Sequence, residues 1–110
     1  MSIGRLAAVE LPTTTGLLYT VPLDCVGGKI NFYYMNPGAS ALAVETAISP
    51  NASSTAASTD YVEKGAIVPA SGGVISLTDI VVSPGEKIFG KAAAAGVVLR
   101  IAGCIYSKPV

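Results

Sequence analysis

Ile67–Leu77 reads IVPASGGVISL. A Ser-Gly-Gly tip divides two apolar stretches, and two readings compete for it: a loop that cradles phosphate, or a turn between two strands. A phosphate loop runs from a strand into a helix whose first amides hold the anion. Here Gly73 is followed by VISLTDIVV, which is rich in β-branched residues, and no Lys-Ser/Thr pair follows the glycines. The segment therefore reads as a hairpin-type turn in which glycine supplies a positive φ. That reading removes nucleotide chemistry and makes the chain on both sides strand.

Outward from this turn the same pattern repeats. Asp60–Val68 is a strand bent at Gly65, and Gly73–Val82 is the next. SPGE (Ser83–Glu86) places Pro before Gly, the signature of a type II turn. Lys87–Lys91 is a short strand, AAAAG a tight return, and Val97–Tyr106 the last strand. Alternation turns Val97, Leu99, Ile101 and Ile105 inward and Arg100, Ala102, Cys104 and Tyr106 outward. Toward the N-terminus, Ser49–Thr59 is small, polar and low in complexity, and reads as a loop. Its Asn51-Ala52-Ser53 matches a glycosylation sequon that carries no meaning without secretion. Ala41–Ser49 alternates, with Leu42, Val44, Thr46 and Ile48 on one side. NPGAS is a turn. In Lys29–Asn36, Ile30, Phe32 and Tyr34 share one face, and Asn31, Tyr33 and Met35 the other. Leu17–Val21 is a strand stopped by Pro22, and LDCVGGK is a connection or bulged start of the strand that follows. Residues 1–15 form an N-terminal arm or edge strand, and residues 16–110 a single β-sandwich domain. Seven or eight short strands with turn signals at close spacing predict an all-β, antiparallel two-sheet sandwich of jelly-roll or Ig-like type.

Composition limits what this domain does. The chain has 110 residues, room for one core. Only 13% of it is charged and the formal net charge is zero, against about 25% charged in an average soluble domain. So few charges on a soluble chain point to surface covered by copies of itself or by a partner. Zero net charge argues against nucleic acid as a partner, and Arg5, Lys29, Lys64, Lys87, Lys91, Arg100 and Lys108 are scattered singly. The apolar stretch after Arg5 is interrupted by Glu10 and makes no signal peptide. No segment reaches the about 18 apolar residues of a membrane span. The expectation is a protein that stays where it is made unless it leaves in a larger assembly.

Catalytic chemistry finds little to work with. Histidine is absent, which removes the common base for an activated serine and the common zinc ligand. Cys25 and Cys104 stand far apart in no metal-like spacing. Without signs of an oxidising compartment they read as two small apolar side chains rather than a disulfide. Asp24, Glu45, Asp79 and Glu86 lie in separate elements, and Asp60 and Glu63 are spaced to face opposite sides of a strand, so the carboxylates read as edge and turn charges. Tyr33, Tyr34, Tyr61 and Tyr106 are available for carbohydrate, but each reads as core or interface first. No catalytic, cofactor-binding or metal-binding residue is predicted, and no enzyme activity.

The chain as a whole resembles small virion structural proteins of tailed bacteriophages. The resemblance rests on an N-terminal segment leading to Tyr19-Thr20-Val21-Pro22, then Asn36-Pro37-Gly38, Asp60-Tyr61-Val62-Glu63, Val68-Pro69 through Gly72, and Gly85-Glu86-Lys87, in that order. It covers nearly the full length, and most of its motifs are turn chemistry. PLDCVGGK departs from it: the family's compact Pro-x-Gly-Lys turn is longer here and carries Cys25. The resemblance implies a non-enzymatic capsid decoration or cement protein, made in the host bacterial cytoplasm and carried on the virion. Its partners would be the major capsid protein and further copies of itself as a homotrimer, with no nucleic acid, membrane or cofactor. Two other classes remain open from the residues. One is a tail or fibre module that recognises a host surface glycan, with Tyr33, Tyr61 and the Ser49–Thr59 loop as its contact candidates. The other is a small enzyme or binding domain of the host.

Overall fold

The computed structural model describes residues 2–51 and 55–108. Eight strands follow one another: β1 (Ser2–Glu10), β2 (Gly16–Thr20), β3 (Cys25–Asn36), β4 (Leu42–Ser49), β5 (Tyr61–Val68), β6 (Gly73–Val82), β7 (Lys87–Ala92) and β8 (Val98–Ser107). A single 3₁₀ turn, Ser58–Asp60, precedes β5. The strands form two antiparallel four-stranded sheets, ordered β1-β8-β3-β6 in front and β2-β7-β4-β5 behind. The pairs nest: β1 with β8, β2 with β7, β3 with β6, β4 with β5. This is one long hairpin wound around itself, the jelly-roll arrangement of a β-sandwich.

The winding decides what each turn does. Among the described strands only β4 and β5 are both consecutive in sequence and hydrogen-bonded to each other, so the Ser49–Thr59 loop joins the fold's one sequential hairpin. Every other connection crosses between sheets, including the Pro69–Gly72 tip. Its local geometry is that of a hairpin turn: Ser71 and Gly72 have φ of 61° and 85°, and the Gly73 amide donates to the Ala70 carbonyl at 3.3 Å. The strands it joins, however, lie in different sheets, which corrects the hairpin reading to an arch. Ser71 and Gly72 donate instead to the carbonyls of Gly38 and Asn36, both at 2.7 Å, so the arch is fastened to the turn that ends β3. The SPGE segment is a turn as read, with the Glu86 amide donating to Ser83 carbonyl at 3.2 Å and Gly85 at φ 80°.

Period-two alternation fills the space between the sheets. Ile30, Phe32 and Tyr34 of β3, Leu99, Ile101 and Ile105 of β8, Val44 of β4 and Ile88 of β7 are buried in one cluster, closed by Leu11, Val21 and Val97 from the connections. The outward residues assigned to β3 and β8 do face out. Ser2–Glu10 is an edge strand, paired along its length with β8, rather than an irregular arm. Bulges fall at Gly65, where a bend was expected, and at Asp79, where a φ of 61° on a non-glycine residue was not. Part of the 51–53 sequon, and residues 109–110, lie outside the described residues.

Candidate functional site

Both outer faces carry charged and aromatic side chains. On the back sheet Glu45 pairs across from Lys91, and Ala47 from Phe89. Phe89 and Ala47 are buried although they point away from the core, a burial that alternation alone does not foresee. Leu17, opposite Phe89, and Tyr61, opposite Ala47, flank them. Lys64 places its Nζ 4.5 Å above the Tyr61 ring, a cation–π contact worth about 0.5–1 kcal/mol at an exposed site. Thr13, Ala43, Glu45, Lys91, Ala92 and Ala93 surround an open hollow of about 290 Å³.

The outer face of the front sheet is ordered in four rows by its registers. Ile3, Cys104, Lys29 and Val81 make the first; Arg5, Ala102, Asn31 and Asp79 the second; Ala8, Arg100, Tyr33 and Ser76 the third; Glu10, Val98, Met35 and Val74 the last. The second row is closed by Asn31, whose Oδ1 accepts the Asp79 amide at 2.9 Å across the bulge. Tyr33, Arg100 and Ala102 line a shallow depression of about 470 Å³ at its centre. Ile3, Val74 and Val81 are 71%, 57% and 74% exposed. The three cations Arg5, Lys29 and Arg100, scattered in sequence, thus come onto one face among apolar side chains. Alternation tells which side each residue takes, but the registers that gather them join strands far apart in the chain.

The candidates read from sequence do not converge. Tyr33 and Tyr61 sit on opposite outer faces, so they cannot share one ligand on a single chain. Tyr61 instead follows Asp60, whose Oδ2 accepts from Ser49 Oγ at 2.8 Å and from the Ala57 amide at 2.9 Å. Tyr106 is exposed at the end of β8. Other carboxylates also serve the backbone, Glu86 accepting from the Ser83 amide at 2.6 Å and Glu63 from Lys64 at 3.0 Å. Cys25 is buried with its thiol on the Pro22 carbonyl at 3.0 Å, while Cys104 lies on the outer side of the same sheet, and both are free thiols. Among the described residues no group of three metal-ligating side chains forms, and no helix is long and apolar enough to cross a membrane.

Among the described residues Tyr34 is the one fully enclosed titratable group with a strong perturbation. Its hydroxyl and that of Thr46 hydrogen-bond to each other across the core. Burial, aided by the nearby Glu63 charge and opposed by the Thr46 hydrogen bond, pushes its pKa up to about 12. Burial, with a smaller contribution from Cys25, also raises that of Tyr19. The neutral phenol is favoured in the folded state, so this stability is complete below the ordinary tyrosine value and is lost as pH rises through about 12. Two pH units amount to about 2–3 kcal/mol. Urea titrations at neutral pH and near pH 11 should show the wild type losing stability that Tyr34→Phe retains. The same variant costs about 1–2 kcal/mol at neutral pH by leaving the Thr46 hydroxyl unpaired. Tyr34→Phe with Thr46→Val should recover most of that cost.

Compared with known proteins, the chain matches no family model, no curated protein and no solved structure.

Proposed function

We propose that this chain is a virion structural protein of a tailed bacteriophage that decorates the outside of the head and stabilises it. The observation that carries the reading is the set of large apolar side chains open to solvent on more than one side of the sandwich: Ile3 and Val81 on the front sheet, Ile67 on the back sheet, and Leu23 and Val26 where β3 begins. A weakly charged surface with this many open aliphatic side chains supports burial against neighbours. The order of turn motifs along the chain supports the same class. The mechanism is mechanical: copies bind across junctions between capsid subunits and bury apolar surface there. At about 25 cal/mol per Å², a contact of modest size repeated over a shell holds the shell against internal pressure without any chemistry in the site.

The test is the number of copies per purified particle, measured by quantitative mass spectrometry against the major capsid protein. A ratio near one to one, or a simple fraction of it, is expected, together with binding of the purified protein to empty heads. A handful of copies per particle would overturn head decoration and move the protein to the tail. There Tyr61 and Lys64, next to the Ser58–Asp60 turn, are the surface to test against host glycans, because the Tyr61 ring and the Lys64 ammonium lie together there.

A further inference from the structure

The outer face of the front sheet matches itself. When two copies of a four-stranded sheet meet face to face about a two-fold axis along the strands, the strand order of one is reversed over the other. β1 then lies over β6 of the second copy, and β8 over β3, with the rows kept in step. In the second row this sets Arg5 over Asp79 of the other copy, and by symmetry Asp79 over Arg5. In the third it sets Arg100 over Tyr33, a cation above an aromatic face. In the first, Ile3 meets Val81 and Cys104 meets Lys29; in the last, Val98 meets Met35 and Glu10 meets Val74. Rotation about the other in-plane axis leaves Arg5 over Ala8 and Asp79 over Ser76, so the two charge pairs favour one orientation. Glu10 stands at the corner of the edge strand, and Lys29 in the end row, where both can keep their heads in water.

From this pairing we propose that the outer face of the front sheet is the contact surface for a second copy of this chain, joined as a two-fold dimer. The pattern is what an isologous interface requires, each patch meeting its own complement. Charge complementarity selects the occupant: Arg5–Asp79 occurs twice, and the most exposed aliphatic residues, Ile3 and Val81, cover each other. Sheets packed face to face lie about 10 Å apart. A two-fold dimer stands here in place of the trimer implied by the family resemblance, and it does not depend on the virion reading.

Sedimentation velocity over a concentration series, with maleimide labelling of Cys104 alongside, tests the proposal. Cys104 lies inside the face, whereas Cys25 is buried between the sheets and serves as the unreactive internal reference. The wild type should form dimers and protect Cys104 as dimer accumulates. Arg5→Glu sets like charges opposite each other twice and should weaken the dimer about a hundredfold; Asp79→Asn should weaken it about tenfold, and asparagine is well tolerated at a positive φ. Arg5→Glu combined with Asp79→Lys should restore association. Arg5 and Asp79 are exposed, and a circular dichroism melt confirms that each variant folds. A wild-type monomer, a trimer, a dimer indifferent to both single substitutions, or protection of Cys104 by capsids alone would each overturn the proposal.

Discussion

Gly103→Ala is expected to unfold this protein or bring it close to unfolding. Gly103 sits in β8 opposite Ile30 of β3, in the pairing at the centre of the front sheet. Its φ is 150°, and a Cβ there would be driven onto the Lys29 carbonyl oxygen and to 2.8 Å from Ile30 Cα. Both obstacles are backbone, so no side chain can swing aside. Gly28, nearby in β3, faces the same constraint, its Cβ position lying 2.5 Å from the Cys104 carbonyl oxygen. The two glycines let β3 and β8 approach where they carry Ile30, Ile101 and Ile105 into the core. A strained φ costs about 1–3 kcal/mol and overpacking against a fixed neighbour about 1–3 more. Against a total stability of about 5–15 kcal/mol for a domain of this size, a loss of about 4 kcal/mol is close to decisive. With m near 1.5 kcal/mol per molar urea, the unfolding midpoint should fall by about 2–3 M. Gly72→Ala is the control, since its φ is 85° but nothing lies within 4 Å of the added methyl. It should cost about 1–2 kcal/mol, the strain alone. Equal effects at the two positions would show that close strand approach is not what Gly103 provides.

These two glycines also show how far the sequence can be read. Gly72 was legible, because a Ser-Gly-Gly tip between apolar runs asks for positive φ. Gly103 was not, because its reason is a carbonyl some seventy residues away on a strand whose register no local pattern announces. The same division runs through the whole fold. Strand number, the inward faces of β3 and β8, the bend at Gly65 and the Ser83–Glu86 turn are local properties, set by alternation and turn chemistry, and they agree with the structure. The assignment of strands to sheets is not local. Turn chemistry at Ser71–Gly72 fixes a tight reversal but says nothing of whether the next strand pairs with the last or crosses to the other sheet; the bond from Gly72 to Asn36 decides that. The outer-face site shares this property. Arg5, Asp79, Arg100 and Tyr33 each look like isolated surface residues until β1, β8, β3 and β6 are placed side by side. Phe89 escaped for the opposite reason: it is buried on a face that alternation assigns to water, between Leu17 and Ala47 of the flanking strands.

Asn36→Asp should be the most damaging single-atom exchange in the chain. Asn36 is wholly buried at the end of β3. Its Nδ2 donates to the Ser40 carbonyl at 2.7 Å and the Val68 carbonyl at 3.2 Å, while its Oδ1 accepts the Gly38 amide at 3.0 Å. Its own carbonyl accepts Gly72, and Gly38 accepts Ser71. One side chain thus binds the turn after β3, the end of β5 and, through its backbone, the arch that carries the chain from the back sheet to the front. An aspartate replaces the donor with a second acceptor facing two carbonyl oxygens, and an ionised one brings a charge into a wholly buried position. The expected cost is about 3–5 kcal/mol at neutral pH. Burial and the facing carbonyls both favour the protonated acid, so its folded pKa is raised above the unfolded one. Stability of the variant is then greatest below the ordinary carboxylate range and falls as pH rises through the raised value. Asn36→Ala, which strands the same carbonyls without adding charge, should cost about 2–4 kcal/mol with no such pH dependence. Urea unfolding of both variants at acidic and neutral pH separates the two contributions. If the aspartate variant is as stable as the wild type at neutral pH, the arch is held by its backbone bonds alone, and the side chain of Asn36 does not determine the crossing between sheets.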